Sequence, residues 1–517
     1  MKQLEVLDYL KLNGFQKFLY NLKSFFCGIP GWFARLFIKI GKWFKKAGIA
    51  IWNNLKDLYY TLVKGKWQTK VSFLVMGFGS ICYGQVLRGI LFMLFEIVFI
   101  LYMVFWGVGW LKLLSVNGTL GVTAGGEVYD EVFDENVWKD GDDSFKILLY
   151  SLLTIIFICA LIYTWRLQLK QCRINEQIMA SGKKVRSTKQ DMQSLVDNDY
   201  HKTLLALPVA GIVVFTVIPI IFMILVAFTN YSNAADGHSN LFKWVGLDNF
   251  NQLINFSTSV DGKKPFGVTF GEVLAWTLMW AVFATFTNYF LGMFVAMMIN
   301  KKGIQFKKGF RTILVMTIAI PQFISLMYVS KMFAYNGIIN GFLLDLGVIK
   351  DGIHFFDNQA NPWVSRLMVI LINVWIGIPY LMLIATGILM NIPADLYESA
   401  KIDGASGFQQ FRKITLPYML FVTGPYLLTS FTGNLNNFNV IYLLTGGAPT
   451  KTDAIATGGT VGNTDLLITW LFNMTTGAEP KYYLASVIGI MIFIVVAVLS
   501  LIVYNVLPSN KNEGDFS

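Results

Sequence analysis

The sequence predicts an all-α integral membrane protein with eight transmembrane helices, and three observations carry that reading. Of 517 residues, 55% are hydrophobic and 14% charged, where ordinary globular chains carry about 25% charged residues; mean hydropathy is +0.54. Eight stretches reach the roughly 20 apolar residues that a helix needs to cross hydrocarbon. They are 89–111, 147–165, 204–228, 273–298, 313–333, 367–390, 418–444 and 484–506. The connections between them differ sharply in charge. Residues 166–203 hold eight basic side chains (Arg166, Lys170, Arg173, Lys183, Lys184, Arg186, Lys189 and Lys202), and 299–312 hold Lys301, Lys302, Lys307, Lys308 and Arg311 with no acid. Residues 112–146 instead carry eight acids and three lysines. Basic connections stay cytoplasmic, and an even span count puts both termini on that side.

The first 70 residues hold 13 Lys/Arg against three acids, so this tail supplies +10 of the formal +11. No apolar core with a cleavage site follows Met1, so no signal peptide is expected. Aromatic and aliphatic residues alternate with lysines, as in "GWFARLFIKIGKWFKKAGIAIW". That pattern predicts amphipathic helices on the anionic inner leaflet; the aromatic density favours lipid over nucleic acid as the partner. Residues 71–86 are too short and Gly-rich for a ninth span.

Within the spans, Glu96 stands alone, without a second acid or histidine in line for a proton relay, which predicts a local partner. Pro208, Pro219, Pro321, Pro379 and Pro425 each free a backbone carbonyl and permit a kink. Four cysteines (Cys27, Cys82, Cys159, Cys172) lie outside the external loops, so no disulfide framework is implied. His201, His238 and His354 are too scattered for a metal site.

Residues 391–419, "NIPADLYESAKIDGASGFQQFRKITLPYM", form the one cytoplasmic connection without a net positive charge. Pro393 followed by Asp395 predicts a short helix with an acid near its positive end, and Gly404 predicts its stop. A second helix is expected from Ser406, with Phe408, Phe411 and Ile414 on one side and Pro417 closing the turn into the next span. Both helices are expected to lie flat on the cytoplasmic surface.

In the seventh span, Asn434, Asn436, Asn437 and Asn439 fall within six residues of an otherwise apolar stretch. On a helix, Ser430, Asn434 and Asn437 share one face. Amides at membrane depth need partners, which leaves two readings: hydrogen-bonded helix–helix glue, or contacts to a hydroxylated substrate.

The run "ESAKIDGASGFQQFRKITLP" resembles the EAA loop of ABC importer permeases. Glu398, Ala400, Asp403, Gly404, Ala405, Phe411, Ile414, Leu416 and Pro417 match in register, and Ser399 replaces the middle alanine. The resemblance implies a six-helix permease core over spans three to eight and assigns Glu398, Ala400, Asp403, Gly404 and Ala405 to coupling with an ATPase. A narrower resemblance, to the MalF-type subunits of maltose and maltodextrin importers, rests on "NVWIGIPYLMLIATGILMNIP", "SFTGNLNNFNVIYLLTGGAPT" and "TDLLITWLFN". It covers 204–506 and assigns sugar contacts to Gly377, Tyr380, Ser430, Gly433, Asn434 and Asn437; at Gly433 such proteins can carry an aromatic. The external connection 229–272 is much shorter than the inserted domain of the enterobacterial protein.

Charge and hydropathy set off 1–87 (basic interfacial region), 88–203 (two N-terminal spans) and 508–517 (cytoplasmic tail), and the resemblance implies 204–507 as the permease core with coupling loop 391–417. It implies a bacterial plasma-membrane subunit of an importer for maltodextrin-type oligosaccharides. Galacto-oligosaccharides are the alternative substrate, and an ion-coupled sugar transporter or a scaffolding protein the alternative class. Implied partners are a second, MalG-type permease, an ATPase dimer and an extracytoplasmic sugar-binding protein. The chain has no phosphate-binding loop: "GGAPTKT" and "SGKK" each lack a required residue. It is therefore expected to be no enzyme and to hold no cofactor of its own, with ATP and Mg on the partner ATPase.

Overall fold

The computed structural model describes residues 14–130, 134–256, 263–301, 303–454 and 460–506. The first 13 residues of the basic tail and the tail at 508–517 lie outside the described residues. The chain is helical: α1 (Gly14–Lys64), α2 (Val86–Leu113), α3 (Ser144–Ala180), α4 (Tyr200–Val226), α5 (Phe266–Asn300), α6 (Lys307–Ala319), α7 (Gln322–Met332), α8 (Pro362–Leu389), α9 (Ala394–Ile402), α10 (Gly407–Leu435), α11 (Phe438–Leu444), α12 (Leu467–Thr476) and α13 (Tyr482–Val506). Among the described residues, seven of these are long and apolar enough to cross a membrane, and the bent pair α6–α7 makes an eighth if it counts as one span. A hairpin, β1 (Gly126–Asp130) paired antiparallel with β2 (Glu135–Lys139), stands in the acidic 112–146 connection, where no strand was expected.

Three expected elements differ from those observed. The fifth span, expected at 313–333, breaks by 90° between α6 and α7. Pro321 has no N–H and forces Ile320 into extended backbone (φ −81°, ψ 124°), so the helix cannot continue. The second helix of the 391–419 connection does not turn at Pro417. It runs on into the next span as α10, with a π-turn at Phe411–Thr415 taking up the register that proline's missing donor would break. The seventh span is not one helix over 418–444. Asn436 (φ −108°) and Asn437 (ψ 90°) leave the helical region, because an asparagine side chain competes with helical hydrogen bonds. The Asn437 side chain accepts from Val440 N and caps α11 instead.

The chain divides into two compact units, Met1–Val108 with Leu153–Gly211, and Gly109–Leu152 with Ile212–Ser517. In the first, α1 is a single long helix whose Trp43, Phe44, Trp52 and Tyr59 remain exposed. Residues 65–85 fold back as two short helices. Their polar atoms are met by α3: Gln168 donates to Ser72 O at 2.6 Å, and Asn175 Nδ2 donates to Gln85 Oε1 at 2.9 Å. Gly77 needs its left-handed φ of +83°, and a Cβ there would fall 2.0 Å from Gly89 O. Glu96 has the local partner expected of it, accepting the Met76 N–H at 2.7 Å.

In the second unit, α5 is the central post, packed by α8 and α10. Trp276, Trp280 and Trp470 are fully buried along it and beside it. Trp276 Nε1 donates to Thr464 O at 3.1 Å, tying α5 to the segment before α12. Arg366 lies over the rings of Trp276 and Trp363, 4.6 and 4.8 Å from their centroids, and donates to Asn463 O at 2.8 Å.

Candidate functional site

Asn361 caps α8 by accepting from Trp363 N, with Pro362 in the first turn, a sequence order suited to a helix start. From that start, Asn373, Gly377 and Tyr380 recur at i, i+4, i+7 and share one face near the middle of α8. On α10, Tyr426, Ser430 and Asn434 recur at i, i+4, i+8. These two faces, with Asn288 of α5, Thr317 of α6 and Gln322 and Ser325 at the start of α7, enclose a cavity of about 420 Å³. That volume lies within the ~300–1,000 Å³ of small-molecule pockets.

Five of the six expected sugar contacts line this cavity: Gly377, Tyr380, Ser430, Asn434 and Asn437. Gly433 does not; it is exposed, and a Cβ added there would meet nothing within 4 Å. Asn437 reaches the cavity from the cap of α11 rather than from the face of α10. The two readings of the asparagines turn out to be compatible. Asn434 Nδ2 donates to Thr285 Oγ1 of α5 at 3.0 Å, which joins two helices, while Asn437 Nδ2 donates to Asn434 Oδ1 at 3.2 Å. The pair therefore forms an ordered amide chain along one wall.

The structure adds residues that sequence reasoning missed. Asn288 Oδ1 and Asn373 Nδ2 are buried without a hydrogen-bond partner, although the side chains are only 8% and 6% exposed. Both line the cavity. A buried polar atom without a partner costs about 1–3 kcal/mol, so this wall holds one unpaired acceptor and one unpaired donor. Asn373 could have been found from its i−4 relation to Gly377; Asn288 carries no sequence signal of its own. Trp375 and Tyr380 are half-exposed aromatics on the lining. Amides with adjoining aromatic faces match the hydroxylated edges and C–H faces of a sugar ring. Among the described residues there is no cluster of acids, cysteines and histidines able to hold a metal.

The 391–419 connection folds as expected in its first half. Pro393 precedes α9, whose last turn ends at Asp403. Gly404 takes φ +77°, and its N–H donates to Lys401 O at 3.0 Å, while Ala405 N donates to Ala400 O at 2.9 Å. Ser406 and Gln409 form a reciprocal capping box at the start of α10. Tyr397 and Thr415 hydroxyls, 2.9 Å apart, pin α9 against α10. No residue of α9 is buried. Glu398 and Asp403 are exposed, and Ile402 and Phe408 are 86% and 70% exposed. Charged residues thus stand beside bare apolar ones on this elbow.

Residues 288–511 match the family described as "Binding-protein-dependent transport system inner membrane component"; this range begins at Asn288 and contains both the cavity wall on α8 and α10 and the α9 elbow. The chain is 32% identical over 448 residues to the maltodextrin transport system permease protein MalC of Streptococcus pneumoniae, which covers 85% of this chain and 95% of the relative. It is 34% identical over 380 residues to the galactooligosaccharides transport system permease protein GanP of Bacillus subtilis, covering 72% and 85%. It is 34% identical over 260 residues to the maltose/maltodextrin transport system permease protein MalF of Escherichia coli, covering 50% and 48%.

Proposed function

The chain belongs to the family of binding-protein-dependent transport system inner membrane components, and on that premise we propose that it passes maltose- or maltodextrin-type oligosaccharides through the cavity between α5, α7, α8 and α10. The observation that carries the reading is the pair of partnerless buried amide atoms on Asn288 and Asn373, beside Tyr380 and Trp375. The likeness to maltodextrin permeases over most of the chain supports the glucan. The likeness to GanP supports galacto-oligosaccharides as a second reading.

In this proposal the chain is half of a translocation path and is completed by a second, related permease. An extracytoplasmic binding protein delivers the sugar. The α9 elbow, through Glu398, Ala400, Asp403, Gly404 and Ala405, docks on an ATPase dimer that holds ATP and Mg, so closure of the ATPases moves α8 and α10. Both termini are cytoplasmic, following the basic connections, and the tail over 1–70 rests on anionic lipid. Deleting the tail should leave sugar-stimulated ATPase activity of the complex intact.

The test is uptake of labelled maltodextrins and galacto-oligosaccharides by cells carrying the chain with its neighbouring transport subunits. Expected is maltodextrin uptake that stops on ATP depletion and survives an uncoupler. Uptake of galacto-oligosaccharides alone would transfer the function to that sugar. Uptake lost with the uncoupler and retained without ATP would make the chain an ion-coupled transporter.

A further inference from the structure

A second cavity, of about 650 Å³, lies between the C-terminal part of α1 and the polar half of α3. Arg166, Lys170 and Arg173 recur on α3 at i, i+4, i+7 and therefore share a face; all three line this cavity. Its one acid is Asp57 of α1, 3.5 Å from Arg173. Arg166 and Lys170 have no ion-pair partner among the described residues. Two cations without an ion-pair partner thus share a half-open groove with apolar side chains, Leu58, Leu167 and Ile174. Tyr163 marks the end of the apolar half of α3 that crosses the bilayer, and aromatic residues favour that headgroup level.

We infer that this cavity binds the phosphate headgroup of one anionic phospholipid, through Arg166 and Lys170, with the apolar lining against the start of its acyl chains. A soluble anion would use the cations and leave the apolar wall unused; a lipid uses both. The inference rests on the proposed orientation, which puts this end of α3 at the cytoplasmic leaflet. It adds a single stoichiometric site to the diffuse attraction of the basic tail.

The test uses the full chain in detergent, titrated with palmitoyl-oleoyl phosphatidylglycerol or the matching phosphatidylcholine, with bound lipid counted by native mass spectrometry. Expected is one phosphatidylglycerol retained in preference to phosphatidylcholine. R166Q/K170Q should weaken it by about 10- to 30-fold. D57N should strengthen it, since Arg173 loses its competing carboxylate, and a gain of this sign cannot come from misfolding. K183Q/K184Q removes two charges of the same basic connection outside the cavity and should change nothing. Equal loss in K183Q/K184Q, no gain in D57N, or displacement of the lipid by millimolar inorganic phosphate would overturn the site. Orientation is checked separately, by labelling a cysteine placed at Lys183 with an impermeant maleimide in intact cells. Labelling there would refute the cytoplasmic placement while leaving the lipid counts to stand or fall alone.

Discussion

The amide of Asn288 on α5 rests against the backbone of Gly377 on α8: a Cβ built on Gly377 would stand 2.4 Å from Asn288 Nδ2. Glycine is required here for close approach rather than for backbone freedom. Gly377→Ala must displace the amide of Asn288, and overpacking of this kind costs about 1–3 kcal/mol. The expected outcome is a lowered melting temperature and lost sugar uptake, with membrane insertion retained. Adding Asn288→Ala should recover the stability and leave uptake absent, a coupling that a double-mutant cycle reads directly. Normal uptake by Gly377→Ala would remove this cavity from the path.

Asn437 has two duties that separate by substitution. Its Oδ1 caps α11 through Val440 N at 3.3 Å, and its Nδ2 bonds Asn434 at 3.2 Å. Asn437→Ala should cost about 0.5–2 kcal/mol of stability by losing the cap, and transport as well. Asn437→Ser keeps a capping oxygen and loses the amide donor. Thermal melts should therefore recover in the serine variant while maltodextrin uptake does not. Recovery of both would reduce Asn437 to a cap.

The elbow of α9 predicts loss of coupling without loss of fold. Glu398 is exposed with no ion pair among the described residues, so Glu398→Lys should shift the stability of the isolated chain by no more than about 0.5 kcal/mol. Sugar-stimulated ATP hydrolysis by the assembled complex should disappear. Gly404→Ala is a second route to the same end, since φ +77° strains any residue with a Cβ by about 1–2 kcal/mol. Stimulated hydrolysis surviving both changes would exclude this loop from coupling.

Asp465, in the connection before α12, predicts a pH dependence of stability. Burial pushes its carboxyl up to about 7, against the opposing influence of the Gly462 N–H, Thr469, Asn473 and Lys451. The folded chain then holds this proton more tightly than the unfolded chain, whose value is about 3.9. The stabilisation is complete below that unfolded value and is lost as pH rises through about 7, at a rate of at most about 1.4 kcal/mol per pH unit. Melting temperature should rise on going from pH 8 to pH 6. Asp465→Asn should flatten that rise, and an unchanged slope would assign it to other groups.

Membrane class, the approximate place of the spans and the α9 elbow were legible in the sequence, because each depends on local quantities: apolar run length, the sign of charge in a connection, and proline, glycine and serine at helix ends. The spacing of Ser430 and Asn434 likewise named one side of a helix before any contact was known, while Gly377 and Tyr380 came only from the MalF-type resemblance. Only the tertiary structure decided where the helices break and which faces meet. Pro321 and Asn436–Asn437, within two expected spans, and Pro417, in the connection before the second of them, produce a 90° bend, a clean stop with a new cap, and a continuous helix through a π-turn, respectively. The outcome at each depends on whether neighbouring backbone can take up the lost hydrogen bond, which no local pattern encodes. Asn288 joined the site, and Gly433 left it, for the same reason. Membership of a cavity is set by which helices pack across it, and α5 reaches α8 at Gly377 only because no side chain stands between them.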